Sequence, residues 1–185
     1  MSRAAVLAIV LLLVPQVRAD DPAKEKQRSS AFELLAGGLE KAEKEKKSVF
    51  LVFGSPTCGW CKYFDKYHAD AEVEKVIGNY FVLVKVDIAT DRFGGMVYKL
   101  FGRDRGVPAW TIVASDLKWL GDSGDEEDNV GFPYEDKEVE HYVKAVRAAA
   151  PKMTDAEADL LVKKLRDIGP KKEKKNEKKD EKKDK

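Results

Sequence analysis

The run Val49-Phe50-Leu51-Val52-Phe53, closed by Gly54, leaves this chain few folds to choose from. Five apolar residues in a row, with no polar side chain to turn towards water, predict a strand buried on both faces. Such a sheet needs helices on each side of it. The flanking sequence supplies them. Phe32, Leu35, Leu39 and Ala42 recur at helical spacing, and Ser30 with Glu33 has the spacing of a capping box. Gly37 and Gly38 fall inside this helix and weaken it, each by about 1 kcal/mol relative to alanine. Beyond the strand, Cys58 to about His68 suits a helix, Glu72 to Ile77 a second short one, and Phe81 to Val86 another buried strand. Met96 to Phe101 follows as a short helix. Pro108 then opens a strand over Ala109 to Ala114, joined through Ser115-Asp116 to Leu117–Leu120 as a hairpin. Alternation first and a hairpin later predict an α/β class, with a central mixed β-sheet flanked by helices on both faces.

The segment 121–133 holds Asp122, Asp125, Glu126, Glu127 and Asp128 and is read as a loop that buries no face. Val139, Tyr142, Val143 and Val146 then mark a helix over Glu138 to Ala149 that Pro151 ends. Thr154 and Glu157 form a second capping-box pattern, opening an extra C-terminal helix that buries Leu160, Leu161 and Leu165 and stops at Gly169-Pro170. At 185 residues the chain has room for one ordinary core. The expected organisation is a secretory signal over 1–19, a flexible lead-in over 20–29, one domain over 30–150, the C-terminal helix over 151–169 and a disordered lysine-rich tail over 170–185.

The signal is read from Arg3, the eleven-residue apolar run Ala4 to Val14, Pro15 and the small residue Ala19. A membrane-spanning helix needs about 20 apolar residues, so export is expected rather than stable membrane insertion, to a bacterial periplasm or the extracellular space. The formal net charge of +1 conceals an uneven distribution. Residues 171–185 alone carry nine lysines against five acids, which leaves the body of the chain net negative and argues against nucleic acid as a partner.

Export to an oxidising compartment sharpens the meaning of the two cysteines. Small exported domains use cysteines as staples in several pairs. Here there are only Cys58 and Cys61, and a bond across Cys58-Gly59-Trp60-Cys61 closes too small a loop to stabilise the fold by much. Redox chemistry or metal binding remain. The expected address of the pair is a strand-to-helix junction, where free backbone N–H groups and the helix dipole favour a thiolate at Cys58, and three-residue spacing puts Cys61 on the same face. Cys58 is then the nucleophile and Cys61 the resolving thiol.

With these motifs in hand, the stretch from about Ser48 to Ala149 resembles the thioredoxin superfamily. Phe50 to Cys61 looks like the family's central strand and active-site loop, Phe81 to Asp87 like its next strand, and Gly106-Val107-Pro108 like its cis-proline segment. The Cys-Gly-Trp-Cys form is similar to that of exported thioredoxin-like proteins, including the soluble thiol domains of bacterial transmembrane disulfide reductases. The resemblance implies a thioredoxin-like fold and a protein disulfide oxidoreductase cycling Cys58 and Cys61 between dithiol and disulfide. Pro108 would position substrate as a cis-proline, the Val107 backbone would pair with an extended substrate segment, and Trp60 would face it. Lys85 and Lys62 are the candidates for tuning a thiol pKa. Many family members carry a buried aspartate six residues before the first cysteine, where this chain has Val52. Asp65, one helical turn after Cys61, is read first as a solvated helix-face residue and second as a substitute proton acceptor.

No cofactor and no metal are expected. The expected partners are exported cysteine-containing proteins and a membrane thiol reductase as electron donor, with the chain itself a monomer. A copper-binding thiol carrier and a noncatalytic binding or chaperone module are the alternatives. Two thiolates fall short of the four ligands of a structural zinc site, and Lys62 stands where covalent haem attachment needs a histidine. Trp110 and Trp119 are expected in the core, and His68 and His141 in surface or packing roles.

Overall fold

The computed structural model describes residues 29–124 and 128–170. The expected signal, the lead-in up to residue 28 and the tail from 171 lie outside the described residues.

Ten elements follow one another: α1 Ala31–Glu45, β1 Ser48–Gly54, α2 Gly59–His68, α3 Ala71–Tyr80, β2 Phe81–Asp87, α4 Gly94–Phe101, β3 Ala109–Val113, β4 Trp119–Asp122, α5 Asp136–Ala149 and α6 Asp155–Ile168. The strands form a mixed sheet in the order β2-β1-β3-β4. β1 pairs in parallel with β2, so that Val52 lies opposite Lys85, and antiparallel with β3, so that Val52 also meets Trp110. Alternate residues of β1 therefore serve two cores. Phe50 and Val52 pack with Trp110 and Ile112 beneath α2, α3, α5 and α6, while Val49, Leu51 and Phe53 pack against α1 and α4 on the other face. The expected helices on both faces are present, and the reason is the unbroken apolar run in β1.

The structure departs from the sequence pattern at two places. The capping box at Ser30 does not form: no side-chain bond caps α1, because Ser30 is buried and its neighbourhood is committed to a bridge with Arg92. There Ala31 donates to the Arg92 carbonyl at 2.9 Å and Arg92 to that of Ser29 at 3.0 Å. Nor is 121–133 wholly without a buried face. Asp122 ends β4, Ser123 is buried and donates its backbone N–H to the Trp110 carbonyl at 2.8 Å, and Val130 and Phe132 enter the core. The acidic residues masked an apolar alternation, Val130-Gly131-Phe132, immediately beyond them.

Gly38 explains how α1 tolerates a glycine. A side chain there would collide with Val84, so the glycine lets the helix sit close on β2. The extra helix α6 is not an appendage. Leu161 and Leu165 are each 1% exposed in the same core as Trp110. The Thr154 capping box forms as expected, with Thr154 Oγ1 accepting from Glu157 N at 3.2 Å. Lys164 joins α6 to the start of α3 through Asp70, 2.9 Å away, and Glu72.

Candidate active site

β1, an interior strand, delivers the chain to the cysteines beyond its C-terminal end. Ser55 to Cys58 make a tight turn in which Cys58 N–H donates to the Ser55 carbonyl at 3.1 Å. Cys58 is the N-cap residue of α2, with extended backbone (φ −78°, ψ 116°), and its sulfur accepts from Cys61 N–H at 3.0 Å. Nothing acidic occupies the first turn of α2, so the positive end of the helix dipole is left for the sulfur. The two cysteines are bonded to each other with Cα atoms 5.3 Å apart. Their exposure is unequal: Cys58 is half-buried and Cys61 only 6% exposed. A partner sulfur from solution can therefore reach Cys58 but not Cys61.

Facing them is the loop before β3. The Val107–Pro108 peptide bond is cis, and the Val107 carbonyl oxygen lies 3.4 Å from Cys58 Sγ. This loop is held at several points. Tyr98 Oη donates to the Gly106 carbonyl at 2.9 Å and accepts from Gly106 N–H at 2.8 Å, while Asn129 Nδ2 donates to the carbonyls of Gly106 and Pro108 at 3.2 and 2.9 Å. Gly106 itself has φ +96°, a conformation that side chains rarely adopt. Neither Tyr98 nor Asn129 was singled out from the sequence. They act through the fold, and no spacing relative to the cysteines announces them.

Trp60 is 46% exposed, as expected, yet it is also packed: its ring stacks on Phe132 at 6.3 Å and contacts Tyr63 and Tyr134 at 5.7 and 5.9 Å. With Val107, Pro108 and Asn129, the rings of Trp60, Phe132 and Tyr134 line a groove of about 440 Å³ beside the disulfide. The groove wall comes from the segment that its acidic residues had disguised.

Behind the pair lies a second cavity of about 170 Å³, lined among others by Val52, Cys61, Phe64, Asp65, Lys85 and Pro108. Lys85 Nζ is 2.7 Å from Asp65 Oδ1. Lys62 is exposed to solvent and does not line that cavity. Among the described residues no group of three or more His, Cys, Asp or Glu side chains is placed to hold a metal ion, and no helix is long and apolar enough to cross a membrane. Trp110 is fully buried, whereas Trp119 is half-buried and stacks on Phe101. His141 Nε2 lies 2.8 Å from the Asp122 carbonyl oxygen. His68 is buried in the core, with Nδ1 3.0 Å from the Phe64 carbonyl oxygen.

A disulfide capping a helix at the end of a buried parallel strand, under a proline-bearing loop, defines the class of thioredoxin-fold thiol–disulfide oxidoreductases. Residues 31–115 match a family model described as thioredoxin-like, and over that span the chain is a thioredoxin-like domain. Among solved structures the chain is similar to a disulphide isomerase from Xylella fastidiosa Temecula1, with 24% identity over 83% of this chain and 98% of that one and a TM-score of 0.48. It is also similar to DsbH oxidoreductase, with 20% identity over 69% and 85% of the two chains and a TM-score of 0.44. A thioredoxin from Thermus thermophilus shares 17% identity over 68% and 92%, with a TM-score of 0.45. No curated protein matches the chain.

Proposed function

We propose that the chain is an exported thiol–disulfide oxidoreductase acting on cysteine-containing exported proteins as a reductase or isomerase. The observation that carries this reading is the unequal exposure of the bonded pair at the N-terminus of α2. Reduced, the Cys58 thiolate is stabilised by the Cys61 N–H and the helix dipole and attacks a substrate disulfide, forming a mixed disulfide and releasing one substrate thiolate. Cys61, one turn deeper, attacks Cys58 Sγ and releases the second. Two electrons pass from the dithiol to the substrate. A membrane thiol reductase returns them in the exported compartment.

Pro108 and the Val107 backbone position the extended substrate segment beside Cys58, and Trp60 packs against it. Lys85, through the cavity behind the pair, bears on Cys61; Lys62 contributes its charge from the surface. The chain works as a monomer. Export is supported by the apolar run Ala4 to Val14 that follows Arg3.

The test is equilibration of the purified protein across glutathione buffers, with thiol trapping to read the state of the pair. A single two-electron transition between free dithiol and Cys58–Cys61 disulfide is expected, and its midpoint sets the direction of exchange against the compartment. A pair that stays oxidised in every buffer, with no exchange on protein disulfides, contradicts the reading.

A further inference from the structure

If exchange proceeds as proposed, each cycle requires the buried thiol of Cys61 to lose its proton before it can attack the mixed disulfide at Cys58. Bulk water does not solvate that thiol directly, since Cys61 is 6% exposed, and its surroundings on β1 are apolar: Val52 and Phe53. We infer that Asp65 is the proton acceptor for Cys61, held at the cavity behind the active site by Lys85.

Three observations converge on this pair. Asp65 follows Cys61 by four residues, which places both on one face of α2. Both line the 170 Å³ cavity, together with Lys85. Lys85 stands opposite Val52 in the strand register, so it meets no carboxylate across the sheet and reaches instead to Asp65, 2.7 Å away. The charged groups at this cavity are Asp65 from α2 with Lys85 and Asp87 from β2. Asp87 is otherwise committed, its Oδ1 accepting from Ala89 and Thr90 N–H at 2.9 and 3.0 Å. His68, farther along α2, senses both Asp65 and Lys85, but its ring packs between Phe50 and Phe64 and does not line the cavity.

As Cys61 Sγ approaches Cys58 Sγ, its proton passes to the Asp65 carboxylate, directly or through a cavity water. The Cys58–Cys61 bond forms, the Cys58–substrate bond breaks, and the substrate sulfur leaves as a thiolate that recovers a proton from solvent. Asp65 then returns its proton to solvent. Lys85 is a positioning residue, fixing the carboxylate at the cavity.

The test mixes the reduced full-length chain with saturating oxidised glutathione, quenches with acid and counts protein carrying one glutathione; the decay of that species is attack by Cys61. For Asp65→Asn the decay slows about a hundredfold at pH 7, the low end of general-base effects, and the deficit shrinks towards pH 9, where hydroxide takes the thiol proton. Asp65→Glu recovers most of the rate. A rate and pH profile for Asp65→Asn equal to wild type overturns the inference while leaving exchange intact. Wild-type protein that never acquires glutathione contradicts the exchange reading and this inference with it.

Discussion

His68 shows how one buried group ties stability to pH. Its Nδ1–H donates to the Phe64 carbonyl oxygen, Nε2 is buried without a hydrogen-bond partner, and rings of Phe50, Phe64 and Tyr67 surround it. Burial first, and the Lys85 ammonium second, push its pKa from 6.5 down to about 3. The folded state thus holds the ring neutral while the unfolded chain protonates it. Its contribution is fully present above about pH 6.5 and is lost as pH falls, by up to about 1.4 kcal/mol per pH unit. Carboxylates such as Asp70, held below the usual range by Lys164, add their own acid sensitivity only at lower pH. Denaturant titrations between pH 4.5 and 6.5 are therefore expected to show a slope that His68→Leu abolishes. The sequence left His68 between a surface and a packing role, because a histidine on a helix without clustered partners fits both and only tertiary packing decides. The cysteines were legible for the opposite reason: their chemistry depends on a local junction of strand and helix, which sequence spells out.

Among the elements, the loop before β3 and the helix α6 do the most to hold the site. Tyr98 of α4 both donates to and accepts from Gly106, so Tyr98→Phe removes two bonds to the loop that faces Cys58. A loss of about 1–2 kcal/mol is expected in denaturant titration, with faster hydrogen exchange at the Gly106 amide. On the far side, Leu161 of α6 is 1% exposed against the core beneath the sheet. Leu161→Ala should cost about 2–5 kcal/mol, and ending the chain after Ala150 should unfold it, both readable by thermal melting. Strands and helices were visible from periodicity, and β1 above all from its unbroken apolar run. The groove wall at Phe132 and Tyr134 was not. Acids punctuate 121–133, and the buried turn there is held by tertiary contacts that no local pattern encodes, the Trp110 indole N–H donating to the Gly131 carbonyl at 2.9 Å among them.

At the scale of the whole molecule, one buried sheet sets two cysteines at unequal depth and brings a distant loop over the shallower one. The sequence could assign the cysteines and the proline to one site by resemblance; it could not show that Asp65 meets Lys85, since their contact spans 20 residues and two elements. Exchange depends above all on the division of labour within Cys58-Gly59-Trp60-Cys61. It is tested most directly by incubating the Cys61→Ser and Cys58→Ser chains with a disulfide-bonded protein substrate and resolving covalent adducts on non-reducing gels. Cys61→Ser is expected to accumulate a thiol-reversible mixed disulfide through Cys58, and Cys58→Ser none. Adducts through Cys61 in the Cys58→Ser chain, or no adduct in either, would contradict the account.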